Sequence, residues 1–232
     1  MSRPAFVYFD IDDTLLDHTR AERHALNDVI ADRSDAFDGL THDEIVSAYR
    51  EVNARVWSEY AAGSRSKDQT KYGRFELLLD RLGRGGNGLH VELADLYLER
   101  YSDHWSFVDG AEQAWQAVSS TYPCGLLTNG FSEIQRAKLS RFPVLDRNAR
   151  HIIISDEIGW LKPHRALFDH AAGMAGVPPE DILYVGDSAR SDVEGGLGAD
   201  WSVAWYRGDD HASERVFSFQ DYRELMDRLE AS

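Results

Sequence analysis

Lysine is scarce: Lys67, Lys71, Lys138 and Lys162 are the only four in a chain of 232 residues. Arginine supplies the rest of the positive charge, and 40 acidic side chains against 25 basic ones leave a formal net charge of −15. So acidic a chain lacks the basic footprint that binding a nucleic-acid polymer through its phosphates requires. Adaptation to high salt and a biased genome composition would each leave an acidic, lysine-poor chain. Cysteine is limited to Cys124, which excludes an intrachain disulfide. Within the apolar run Cys124-Gly125-Leu126-Leu127 it reads as a core thiol, not a reactive one. No apolar stretch approaches the ~18 residues of a membrane-spanning helix. The short apolar run after Met1-Ser2-Arg3-Pro4 turns acidic at Asp10, too soon for a signal peptide, so a cytoplasmic location is expected. Internal repeats and low-complexity segments are also missing.

What is present suffices for a buried core: 43% of the residues are hydrophobic, and the 28% charged fraction is ordinary for a soluble protein. Five apolar runs, Ala5–Phe9, Cys124–Leu127, Ile152–Ile154, Ile182–Val185 and Trp201–Tyr206, have the character of buried parallel strands. Helical segments alternate with them at Ala111–Ser119, Ser132–Phe142, Ala166–Ala175, Asp192–Leu197 and Asp221–Leu229. This alternation predicts an α/β domain with a Rossmann-like doubly wound parallel sheet. Between the first two strands the pattern changes. Ala21–Ala31, His42–Ala61, Lys71–Leu82 and Val91–Trp105 carry apolar residues at helical spacing, as at Ile45, Tyr49, Val52 and Val56. Residues 17–105 are therefore expected to form an inserted four-helix domain, with 1–16 and 106–232 as the core. The aromatic residues could serve a dimer interface as easily as a ligand, so monomer and homodimer both stay open.

The most informative segment is Phe9-Asp10-Ile11-Asp12-Asp13-Thr14, where a buried strand runs straight into three carboxylates. In extended chain Asp10 and Asp12 share a face, and the carboxyl end of a parallel strand is where open α/β sheets bind ligands. One acid there could attack phosphorus while the other handles protons. The plain alternative is that these residues only end the strand and open a turn. The second strand ends in Thr128-Asn129-Gly130, a hydroxyl, an amide and free backbone N–H groups suited to phosphate oxygens, or an ordinary turn. Lys162, before Pro163, is either a solvated lysine or a phosphate clamp at the same edge. The fourth strand ends in Gly186-Asp187-Ser188, and Asp192 follows. Two further carboxylates could complete an oxygen-ligand site for Mg²⁺, or Asp192 could merely start a helix.

Taken in order on successive strands, these four segments resemble the motifs of the haloacid dehalogenase-like superfamily, including an all-helical cap placed directly after the first motif. Asp10, Asp12 and Thr14 stand at the first motif, Thr128 at the second, Lys162 at the third, and Asp187 with Asp192 at the fourth. The resemblance implies a phosphomonoester hydrolase with an aspartyl-phosphate intermediate on Asp10 and Asp12 as acid and base. It implies Mg²⁺ held by Asp10, the Asp12 backbone carbonyl and Asp187, with Asp192 acting through water. Thr128, Asn129 and Lys162 would bind phosphate. A cation and a few placed basic groups would also reconcile an acidic protein with an anionic, small-molecule phosphate ester.

Founding members of that superfamily cleave C–halogen bonds without metal and usually lack the second acid, so Asp12 points to phosphoester chemistry. Leu126-Leu127-Thr128-Asn129-Gly130-Phe131, Ile154-Ser155-Asp156-Glu157-Ile158-Gly159 and Gly73-Arg74-Phe75-Glu76 are similar to bacterial pyrimidine 5′-nucleotidases. Sugar-phosphate and acylneuraminate phosphatases share similar text. A haloacid dehalogenase, a phosphomutase and a non-enzymatic binding module are the remaining alternatives. Trp57, Tyr60, Tyr72, Arg74 and Phe75 are candidates to contact the leaving group, with packing inside the cap as the plain alternative for each.

Overall fold

The computed structural model describes residues 3–86 and 88–231. It separates into two compact units, Met1–His18 with Ser106–Ser232, and Thr19–Trp105.

The first unit is built on six strands: β1 (Phe6–Phe9), β2 (Cys124–Thr128), β3 (His151–Ile154), β4 (Ile182–Gly186), β5 (Ser202–Tyr206) and β6 (Val216–Phe219). All neighbours are parallel, in the order β3-β2-β1-β4-β5-β6. The period-2 alternation of β1 divides its side chains between two cores. Val7 and Phe9 join Trp115, Leu126, Val185, Leu225 and Leu229 on one face. Phe6 and Tyr8 join Leu127, Phe168, Tyr184 and Trp201 on the other. The helices Ala111–Thr121 and Tyr222–Glu230 cover the first face and Arg165–Ala175 the second, which is the doubly wound arrangement. With both faces buried, β1 is apolar throughout.

Chain order runs outward from β1 through β2 to β3 on one side, and from β4 to β6 on the other. The direction therefore reverses between β1 and β4, and the carboxyl ends of those two strands flank the topological switch point. Phe9 pairs with Leu126 on one side and Val185 on the other, and the Asp10 N–H donates to the Val185 carbonyl at 2.9 Å. The residues after β1, β2 and β4 are thus delivered to one edge.

Several local features of this unit differ from the sequence expectation. Strand β6 is additional; it is an edge strand in which only Phe219 is buried, so it lacks the continuous apolar run that marks its neighbours. The segment expected as a helix from Asp192 begins earlier, as a widened turn over Ala189–Glu194. There the Val193 N–H donates to the Ser188 carbonyl at 3.1 Å, five residues back. The helix after β2 ends at Arg141, and a second short one begins at Pro143, whose fixed φ suits a first helical turn.

The second unit contains the helices His42–Ala61, Gly73–Arg81 and Leu89–Asp103 and most of His18–Asp32. A capped turn, Lys67–Lys71, precedes Gly73–Arg81 where one longer helix was expected. His42–Ala61 starts at a capping box: the Glu44 N–H donates to Thr41 Oγ1, and the Thr41 N–H donates to Glu44 Oε2 at 2.8 Å. Tyr49, Phe75 and Tyr97 pack in the interior around Arg74, whose guanidinium lies 4.7 Å from the Tyr97 ring centre and donates to Asn53 Oδ1 at 2.9 Å. Arg74 and Phe75 are therefore packing residues of this unit, while Trp57, Tyr60 and Tyr72 are half-buried. No helix among the described residues is long and apolar enough to cross a membrane.

Candidate active site

Two lysines at the sheet edge are each paired with acids: Lys162 with Asp10 and Asp192, and Lys138 with Asp12. Asp10, the first residue past β1, is 6% exposed. Lys162, 3% exposed, places its Nζ 2.8 Å from Asp10 Oδ1 and 2.8 Å from Asp192 Oδ1. It also donates to the Tyr184 hydroxyl at 2.7 Å, which in turn donates to the Leu127 carbonyl at 2.8 Å. An ammonium this deep is tolerated only because it has acids and a polar acceptor around it. Asp192 is fully buried; its Oδ2 accepts the Ser188 N–H at 2.9 Å. The widened turn over Ala189–Glu194 directs that carboxylate back under the end of β4. Asp187 accepts from Thr14 Oγ1 at 3.3 Å, while its backbone carbonyl accepts from Trp205 Nε1 at 2.8 Å.

The loop after β1 is fastened to itself. The Leu15 and Leu16 N–H groups both donate to the Ile11 carbonyl, and the Asp13 N–H donates to the Leu16 carbonyl at 2.8 Å. Asp13 takes a left-handed conformation, φ +58°, which Asp tolerates better than most residues. Asp12 leaves this loop toward the helix Ser132–Arg141. Its Oδ1 is paired with Lys138 Nζ, and its Oδ2 accepts from Gln135 Nε2 at 2.8 Å.

Asn129 is bound to the backbone of Lys162: its Nδ2 donates to the Lys162 carbonyl at 3.1 Å and its Oδ1 accepts the Lys162 N–H at 2.8 Å. The Asn129 side chain thus pins the peptide of the lysine. Thr128 is fully buried, with its Oγ1 3.1 Å from the Asn129 carbonyl. Asp10, Thr14, Lys162, Asp187 and Asp192 come together around one point, and Asp12, Thr128 and Asn129 are tied to the same edge. Sequence reading missed Lys138, Gln135 and Tyr184. A signal for the first two existed, since they stand three residues apart on one helix face.

The electrostatics follow from burial. Desolvation pushes the Asp10 carboxyl well above the usual carboxylate range; Lys162 opposes this, and Asp192 and Asp187 add to it. Burial, with Asp192 and Asp13 nearby, pushes Asp187 up to about 7. Burial alone would depress Lys162, but Asp10 and Asp192 more than offset it and raise its pKa. Burial would raise Asp12 as well, yet Lys138, then His18 and Gln135, hold it below its ordinary value.

Oxygens of Asp10, Asp187 and Asp192 lie within 4.8 Å of one another. Lys162 approaches Asp10 Oδ1 outside hydrogen-bond geometry, so this buried oxygen lacks a hydrogen-bond donor. Three converging carboxylates with one such oxygen are the donor set of a hard divalent cation, and the residues fit one.

With this geometry in view, the chain matches the model of the haloacid dehalogenase-like hydrolases over residues 6–200. It is 31% identical over 201 residues to the pyrimidine 5′-nucleotidase YjjG of Escherichia coli, covering 86% of this chain and 84% of that one. It is 27% identical to the pyrimidine 5′-nucleotidase PynA of Streptococcus pneumoniae, covering 96% of this chain and 95% of the other. The crystal structure of the Bacillus subtilis HAD-hydrolase YfnB bound to magnesium superposes with a TM-score of 0.83 at 27% identity, over 99% of this chain and all of that one. The chain belongs to the haloacid dehalogenase-like hydrolase family, and it is an enzyme.

Proposed function

We propose that the protein is a magnesium-dependent phosphatase that hydrolyses pyrimidine nucleoside monophosphates through a phosphorylated Asp10. The observation that carries this reading is the cluster of Asp10, Asp187 and Asp192 around Lys162, with a second acid, Asp12, two residues from the first. Similarity to YjjG and PynA supports the pyrimidine nucleotide. Asp12 argues against C–halogen cleavage, which needs no second acid to protonate a leaving halide.

A carboxylate oxygen of Asp10 attacks phosphorus opposite the ester oxygen. As the P–O ester bond breaks, its electron pair stays on the leaving oxygen, which takes the proton of an Asp12 that has entered the step in its protonated form. Water then attacks the aspartyl-phosphate and gives its proton to Asp12, releasing inorganic phosphate and regenerating Asp10. Lys162 and the hydroxyl of Thr128 neutralise charge on the transferring oxygens, where most catalysis of phosphoryl transfer lies. Asn129 serves the same end by fixing Lys162. Asp10, Asp187 and the Asp12 backbone carbonyl would hold Mg²⁺, with Asp192 reached through water. The ion would supply further charge neutralisation to the phosphoryl oxygens. In this reading residues 17–105 are the cap domain, and 1–16 with 106–232 the catalytic core.

The test is phosphate release from uridine, deoxyuridine and thymidine monophosphates beside a panel of sugar phosphates, with Mg²⁺ and with chelator. Chelator-sensitive release led by the pyrimidine esters is expected. Release led by a sugar phosphate would discard the nucleotidase reading, and release indifferent to chelator would discard the metal.

A further inference from the structure

We propose that Lys138 and Gln135 are positioning residues that hold the Asp12 carboxylate, one oxygen each, in the orientation its proton transfers require. The inference rests on the assignment of Asp12 as acid and base.

Asp12 stands on a loop, not on a helix or strand, so its own backbone leaves the carboxylate free to turn about two bonds. The neighbouring helix removes that freedom. Lys138 reaches Oδ1 and Gln135 reaches Oδ2 at 2.8 Å, and both side chains are 1% exposed as residues. Among the four lysines, Lys138 and Lys162 are buried, and each ends on an acid of the site. Burying an ammonium on a helix that borders solvent is unfavourable unless its partner compensates, and here the partner is the proposed acid.

Gln135 is itself constrained. Its Nε2 also donates to the Asn129 carbonyl at 3.0 Å, and the Asn129 side chain clamps the Lys162 peptide. Gly130, at φ +138°, provides the space, because a Cβ there would stand 2.6 Å from Gln135 Nε2. One residue, Gln135, thus links the placement of Asp12 to that of Lys162. Such a link sets the distance between the group that handles protons and the cation beside the nucleophile, where small displacements are costly in rate.

A pair that only stabilised the fold would act independently of Asp12; a positioning pair acts through it. The experiment is a double-mutant cycle of Lys138→Met and Asp12→Asn, with kcat and KM measured on uridine monophosphate or the best ester of the panel. K138M is expected to lower kcat by about 10²-fold, the scale of acid–base catalysis, with KM changed much less. In the D12N background K138M should cost less than about twofold more. Gln135→Leu, which leaves the ammonium in place, is put through the same cycle, so the test does not depend on how K138M folds. Losses that multiply with that of D12N, or undiminished kcat in both K138M and Q135L, overturn the proposal while the assignment of Asp12 stands. Undiminished turnover in D12N alone overturns that assignment and this inference with it.

Discussion

Gly186 leaves the space that the Asp192 carboxylate occupies: a Cβ at position 186 would overlap the Asp192 carboxylate group. The last residue of β4 is therefore a glycine because of a carboxylate six positions later, and that carboxylate holds Lys162 at 2.8 Å. Backbone, acid and lysine form one packed unit, and displacing any member moves the others.

Gly186→Ala tests this directly. The methyl must push Asp192 aside, and with it Lys162. Overpacking of this kind destabilises by roughly 1–3 kcal/mol, and turnover should fall at least about tenfold as Lys162 moves away from Asp10. Urea unfolding and steady-state kinetics measure the two effects. A variant with native turnover would mean that Asp192 does not govern the lysine.

Lysine 162 carries a heavier load. Lys162→Met leaves Asp10 and Asp192 buried without their cation, a loss of about 3–5 kcal/mol when one partner of a buried pair is removed. Turnover should fall by roughly 10²–10³-fold, as when one preorganised charge-stabilising donor is lost. The destabilisation should shrink as pH is lowered and the orphaned acids take up protons. A stability loss independent of pH would contradict the ion-pair account.

Asp187 gives a pH dependence of definite sign. Its carboxyl is pushed up to about 7 in the folded protein, against ~3.9 for an unfolded aspartate. Between these values the folded state binds more protons than the unfolded one, so this group's contribution to stability falls as pH rises. Metal-free protein should melt at lower temperature at pH 8 than at pH 6. A divalent cation displaces those protons, so stabilisation by Mg²⁺ should be greater at pH 8 than at pH 6. Thermal melts with and without Mg²⁺ at both pH values check this; a metal-free melting temperature that climbs over that interval would contradict it.

Much of this was legible in the sequence because the relevant physics is local. Buried strands are largely apolar, so the runs of β1 through β5 stood out, and acids immediately after β1 and β4 had to lie at one sheet edge. What was not legible depends on tertiary partners. Strand β6, Val216–Phe219, buries only Phe219 fully and gives no continuous apolar signal. The wide turn over Ala189–Glu194 is specified by bonds between Ser188, Ser191 and Asp192, which no periodicity announces. The bonds between the Asn129 amide and the Lys162 peptide join residues 33 positions apart, which no local pattern announces. Lys138 drew no attention in the sequence, since a lysine on a helix is usually exposed until an acid is found beside it.

In the proposed mechanism everything turns on Asp10 as the nucleophile. Its most direct test is peptide mass spectrometry on enzyme quenched in acid during turnover of a phosphate ester. A phosphoryl adduct is expected on the peptide that contains Asp10, with neither adduct nor appreciable phosphate release in Asp10→Asn. Undiminished phosphate release by Asp10→Asn, or a phosphoryl group found on another residue, would contradict it.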